Sequence, residues 1–172
     1  MTYNVHSCIG MDGKLAPERI ARVIARCAPD IVALQELDVG RARTAGADQA
    51  HLIAHYLEMD FHFHPALLGP EWLAHPDCRG PVIVCGDFNA LPASPVCRRL
   101  RNRLNDAQIE MERHRPRGTF FGRFPAVRID HMFVDAGFEV VDIEVPDSEL
   151  ARVASDHLPL IVEIKVDRTA HF

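Results

Sequence analysis

The sequence predicts a mixed α/β fold in a single domain spanning residues 1–172. Three observations carry this. Short apolar runs of strand length recur along the chain, and stretches with apolar residues at helical spacing stand between them. A length of 172 residues suits one domain with a real core. The composition, 48% apolar and 25% charged, is that of an ordinary globular chain.

Residues 2–6 read as a strand ending near Asn4, followed by a loop at Gly10–Lys14. Pro17 suits a first helical turn, and Ile20, Val23, Ile24 and Cys27 follow at i, i+3, i+4, i+7, one apolar face. Pro29 stops that helix, and Ile31-Val32-Ala33-Leu34 reads as a short buried strand carrying Gln35 and Glu36 at its end. Residues 40–47 form an exposed loop. Asp48 is a candidate cap for a second helix with Leu52, Ile53, Tyr56 and Leu57 turned inward. Phe61-His62-Phe63-His64-Pro65 alternates like a strand, Ala66–Leu73 reads as a helix fragment broken by Gly69-Pro70, and the Gly- and Pro-rich stretch 69–81 reads as loop or hinge. Pro81–Cys85 is a buried strand, and Ser94-Pro95 opens a helix to about Arg101. An Arg/Gly/Pro loop covers 112–126. Strands follow at Arg128–Asp135, Phe138–Val145 and Leu158–Val166.

The net charge of −5 argues against a polyanion binder acting through bulk electrostatics. Basic residues are nearly all Arg, clustered between Arg98 and Arg128. They are read as solvated surface or, alternatively, as a patch beside a phosphate. No apolar run approaches the roughly 18 residues of a membrane helix. No secretory signal is visible, and five scattered cysteines without a CxxC pair suit reduced thiols, so the expected location is cytoplasmic.

The chemistry concentrates at strand tips. Gly86-Asp87-Phe88-Asn89 delivers a carboxylate and an amide to the end of one strand, and Ser155-Asp156-His157 a carboxylate and an imidazole to the start of another. Oxygen ligands with an imidazole are what metal-assisted phosphate ester hydrolysis requires. With Asn4, Glu36 and Asp130, seven polar residues in order each adjoin an apolar run. By strand alternation Asp130 shares a face with Met132 and Val134, so His131 points away and is read as structural. A zinc hydrolase is disfavoured because no HExxH motif occurs.

The series Tyr3-Asn4-Val5, Leu34-Gln35-Glu36, Gly86-Asp87-Phe88-Asn89, Arg128-Ile129-Asp130-His131 and Ser155-Asp156-His157-Leu158-Pro159 resembles the endonuclease/exonuclease/phosphatase superfamily, which includes deoxyribonuclease I. The resemblance implies a four-layer α/β/β/α sandwich of two mixed sheets with the site at one end. The family's central part has no counterpart here, which implies an internal deletion near residues 66–68. The resemblance also implies Mg²⁺, or alternatively Mn²⁺, held by Glu36 with Asn4 beside it and Asp156 completing the shell. It implies His157 as general base, Asp130 orienting it, and Asp87 and Asn89 holding the nucleophile and the phosphorus oxygens. The substrate would be a phosphodiester or phosphomonoester, in a small molecule or a nucleic acid. His62 and His64 are candidate substitutes for a lost histidine, against a bland surface role. The shortened sandwich implies a homodimer with exchanged elements. The competing expectation is an inactive remnant acting as a structural or metal-binding domain.

Overall fold

A computed structural model describes residues 1–63 and 81–166. His64, the helix fragment, the junction near 66–68 and nearly all of the 69–81 loop therefore lie outside the described residues. Residues 61–63 are not a strand, contrary to expectation.

Strand β1 (Thr2–Asn4) is wholly buried and pairs in parallel with β2 (Ala33–Gln35), with Asn4 opposite Gln35. The β2 ladder starts at Thr2↔Ala33, so Ile31 lies ahead of it and is 75% exposed rather than buried. Helix α1 (Pro17–Cys27) buries Ile20, Ala21, Val23 and Ile24, and Ala28 closes it with its N–H on Ile24 O. Helix α2 (Gln49–Leu57) is capped by Asp48, which accepts from His51 N at 3.0 Å. Its inner face is Gln49, Ala50, Ile53 and Ala54, while Leu52 and Tyr56 are exposed, against expectation. Gln49 causes the rotation: its side chain is drawn inward to accept from Asp38 N at 2.8 Å and donate to Ser7 O at 2.6 Å.

Strand β3 (Ile83–Asp87) runs antiparallel to β5 (Asp130–Val134) in a register that sets Asp87 opposite Asp130 at the tip. It begins later than the apolar run and takes Gly86 and Asp87 into the ladder. Gly86 has φ of +150°, a conformation that side-chain-bearing residues rarely adopt. Helix α3 (Pro95–Arg101) starts at its Ser94 cap as expected. Strand β4 (Asn105–Asp106) pairs with the other edge of β5 and leads into α4 (Ala107–Glu110). Strands β6 (Phe138–Glu144) and β7 (Ile161–Val166) form an antiparallel pair, with α5 (Glu149–Ala154) between them in sequence. β7 starts three residues later than expected. Leu158 and Leu160 instead sit in the core, and Leu160 exchanges two 2.9 Å backbone bonds with Thr2.

The main core joins Tyr3, Val5, Ile20, Ile24, Met132 and Leu158. A second cluster of Cys97, Leu104 and Phe133 lies on the other side of β5. The alternation of Met132 and Phe133 between clusters gives β5 two buried faces. Among the described residues no helix is long and apolar enough to cross a membrane.

Candidate active site

The tips of β1, β2, β3 and β5 bring Asn4, Glu36, Asp87 and Asp130 to one end. The segment after α5 adds Asp156 and His157. Asn4 is 2% exposed, and its Nδ2 donates to Glu36 Oε1 at 2.9 Å and to Asp87 Oδ2 at 3.1 Å, bridging two carboxylates 51 positions apart in the chain. Its Oδ1 accepts from His6 N at 3.0 Å. Asp87 also accepts from Asn89 N at 2.8 Å, which folds the exposed Asn89 back over the strand end with φ of 47°.

His157 occupies the buried side. Its Nδ1–H donates to Asp130 Oδ2 at 2.8 Å, and its Nε2 stands 3.8 Å from Asp87 Oδ2. The bond to Asp130 fixes the tautomer, so Nε2 carries the free lone pair. Asp130 is 1% exposed and also accepts from Thr119 Oγ1 at 2.5 Å. Burial of His157 disfavours its charged form, but the hydrogen bond to Asp130 and the charges of Asp130, Asp87 and Asp156 outweigh that and raise its pKa. His131 points the other way, as alternation requires. Its Nε2–H donates to Ala90 O at 2.8 Å, and burial lowers its pKa.

Ser155 ties the segment down. Its Oγ donates to Asn4 O at 2.8 Å and accepts from His157 N at 3.2 Å. All seven residues singled out from sequence thus belong to one contiguous polar cluster. A family model described as the endonuclease/exonuclease/phosphatase family matches residues 1–157, from the first strand to the imidazole.

The chain belongs to the endonuclease/exonuclease/phosphatase family. Its fold is similar to the crystal structure of an endonuclease/exonuclease/phosphatase from Beutenbergia cavernae, with a TM-score of 0.69 and 19% identity over 96% of this chain and 70% of that one. Less extensive likenesses are to a family protein from Bacteroides vulgatus (TM-score 0.46, 23% identity, 69% of this chain and 43% of that one) and to a mannosyl-6-phosphatase from Bacteroides thetaiotaomicron (TM-score 0.41, 26% identity, 69% and 45%). The chain thus spans less than half the length of those two. No curated protein matches it.

Three contributors to this cluster are not evident from sequence. His6 lies on a turn whose three residues, His6, Ser7 and Cys8, all have positive φ, and its Nδ1 stands 3.8 Å from Glu36 Oε2 and 3.6 Å from Asp156 Oδ2. Thr119 and Phe120 come from the long loop before β5. Phe120 packs on the His157 ring with centroids 5.0 Å apart. A signal for His6 was present, two residues after Asn4, but the strand ends between them. His51 and His55 stack on the exposed side of α2, and the contacts they make do not reach this cluster.

The donor chemistry fits a hard divalent cation. Among the described residues, Glu36 Oε2 and Asp156 Oδ2 receive no hydrogen bond, and both face His6. No group of three or more acidic, imidazole or thiol side chains among the described residues is placed to hold a metal by itself. Two carboxylates completed by water and a substrate phosphate are the usual way Mg²⁺ is held.

Proposed function

We propose that this protein is a metal-dependent phosphoesterase that hydrolyses a phosphate mono- or diester. One observation supports it above the others: the Asp130–His157 pair, with Nε2 free and facing Asp87 across 3.8 Å. A water held by Asp87 and Asn89 gives its proton to His157 Nε2 as its oxygen bonds to phosphorus. The P–O bond to the leaving group breaks, and that oxygen leaves with the bonding pair. Asp130, buried and anionic, stabilises the imidazolium that forms. Glu36 and Asp156, with Asn4 beside them, would hold Mg²⁺ or Mn²⁺. When bound, the ion supplies charge that offsets the growing negative charge on the phosphate oxygens.

The test is turnover of bis-p-nitrophenyl phosphate with Mg²⁺ or Mn²⁺ by the wild type and by His157→Ala. Turnover that vanishes in the variant supports the reading. No turnover with any divalent ion leaves the inactive remnant, which the shorter span relative to the Beutenbergia structure favours. For the assembly, exchange of elements between two copies is the corresponding proposal, and a strictly monomeric mass by light scattering at high concentration overturns it.

A further inference from the structure

His6 sits on a turn that a chain adopts only when other parts of the fold hold it. His6, Ser7 and Cys8 have φ of 47°, 53° and 57°, three consecutive left-handed residues with no glycine among them. Side-chain-bearing residues visit this region singly, and a run of them persists where the surroundings impose it. Ser7 is the point of attachment. Its N–H donates to Glu36 O at 2.9 Å, its O accepts from Gln49 Nε2 at 2.6 Å, and its Oγ accepts from Arg43 at 3.0 Å. The His6 backbone is fixed as well: its N–H donates to Asn4 Oδ1 and its O accepts from Ile9 N, both at 3.0 Å. The imidazole takes no part in this scaffold. It is half exposed and turns Nδ1 toward Glu36 and Asp156, which the fold brings from 30 and 150 positions away.

Nδ1 stands 3.8 Å from Glu36 Oε2 and 3.6 Å from Asp156 Oδ2. Both separations exceed a hydrogen bond, and neither oxygen accepts one from another described residue. Two donors on one ion, with bonds of about 2.1 Å, stand roughly 3.0–3.4 Å apart. The imidazole is therefore set slightly too wide to share an ion with either carboxylate as it stands, and a half-exposed ring can swing through that small gap. With its proton on Nε2, the ring presents the Nδ1 lone pair to the same space as the two oxygens. Oxygen donors alone suit Mg²⁺, whereas an imidazole nitrogen moves the preference toward first-row transition ions. We propose that His6 is a nitrogen ligand of the metal site at Glu36 and Asp156, and that it makes the site select a divalent transition ion over Mg²⁺. The proposal rests on the metal-dependent reading for the site itself. It goes beyond that reading in naming a further ligand and the class of ion.

The full chain is tested in a His51→Ala/His55→Ala background, because the i, i+4 pair on the exposed side of α2 can itself chelate transition ions. Mn²⁺ is added to this protein carrying isotope-labelled histidine, and pulsed EPR reads the coupling between the bound ion and histidine nitrogen. A directly coupled histidine nitrogen is expected. It should vanish in His6→Asn, since asparagine tolerates the left-handed backbone and keeps the turn. Competition between Co²⁺ and Mg²⁺, followed by the visible absorption of bound Co²⁺, gives the second readout. His6→Asn should lower Co²⁺ affinity at least about tenfold and change Mg²⁺ affinity far less. Failure of Mn²⁺ to bind, absence of histidine coupling to the bound ion, or coupling that persists in His6→Asn overturns the proposal. An equal fall in affinity for Co²⁺ and Mg²⁺ does so too, because it reports only a disturbed turn. Turnover of bis-p-nitrophenyl phosphate keeps the foundation separate. Histidine coupling without turnover sinks the phosphoesterase reading and leaves His6 a ligand, while turnover without histidine coupling does the reverse.

Discussion

Asp130 accepts two hydrogen bonds through one oxygen, from Thr119 and from His157, and sits opposite a second carboxylate in the ladder. At 1% exposure those donors replace water on Oδ2 alone, and Oδ1 is buried with no hydrogen-bond partner among the described residues. His157→Ala should lower turnover by roughly 10²–10⁴-fold, measured as kcat with bis-p-nitrophenyl phosphate. Removal of divalent ions with EDTA should abolish the same turnover, and Glu36→Gln should raise the Mg²⁺ concentration needed to restore it, read from a metal titration. The raised pKa of His157 has a stability consequence whose sign is definite. A folded-state pKa above about 6.5 means the folded protein binds the proton more tightly than the unfolded chain does. The stabilisation is therefore complete below pH 6.5 and is lost as pH rises through the raised value. In metal-free buffer, the difference in urea midpoint between wild type and His157→Ala should shrink as pH rises above that point. The seven residues were readable because each adjoins an apolar run that announces a strand. His6, Thr119 and Phe120 were not, since each matters only through partners 11 to 150 positions away, which the fold alone brings near.

At the scale of elements, the turn that carries His6 depends on α2 and the loop before it. Gln49 is fully buried and bonds Asp38 N and Ser7 O. Arg43 forks onto Asp38 at 2.6 and 2.7 Å and also donates to Ser7 Oγ at 3.0 Å. Ser7 N in turn donates to Glu36 O at 2.9 Å, so this network holds the Glu36 backbone against β1. Gln49→Ala should destabilise the protein by roughly 2–4 kcal/mol, because it leaves two buried backbone groups unpaired, measured by chemical denaturation. The same interaction explains why α2 is rotated from its apparent face: a buried glutamine gives no apolar signal. Helices α1 and α3 were legible from proline at the first turn and, in α1, from clean 3.6-residue spacing. The α4 and α5 helices, of four and six residues, were not, because they are too short to show a period and are held by packing. Ile31 misled because β-branched residues read as strand wherever they fall, whereas pairing with β1 decides where the ladder begins.

For the molecule as a whole, the cleanest lesson from sequence was the fold class, and the hardest was where the segment after His157 runs. Leu158 alternates with Leu160 like a strand, yet both are core plugs beside β1. Leu158→Ala should cost about 2–5 kcal/mol, seen as a lower denaturation midpoint, and should also weaken turnover through its neighbour His157. The bond from Ser155 Oγ to Asn4 O spans 151 positions. During synthesis Asn4 and Glu36 leave the ribosome long before Asp156 and His157 exist, at roughly 5–20 residues per second. A nascent chain therefore carries Asn4 and Glu36 well before their partner side chains exist, so the polar cluster at the strand tips can close only once translation has passed His157.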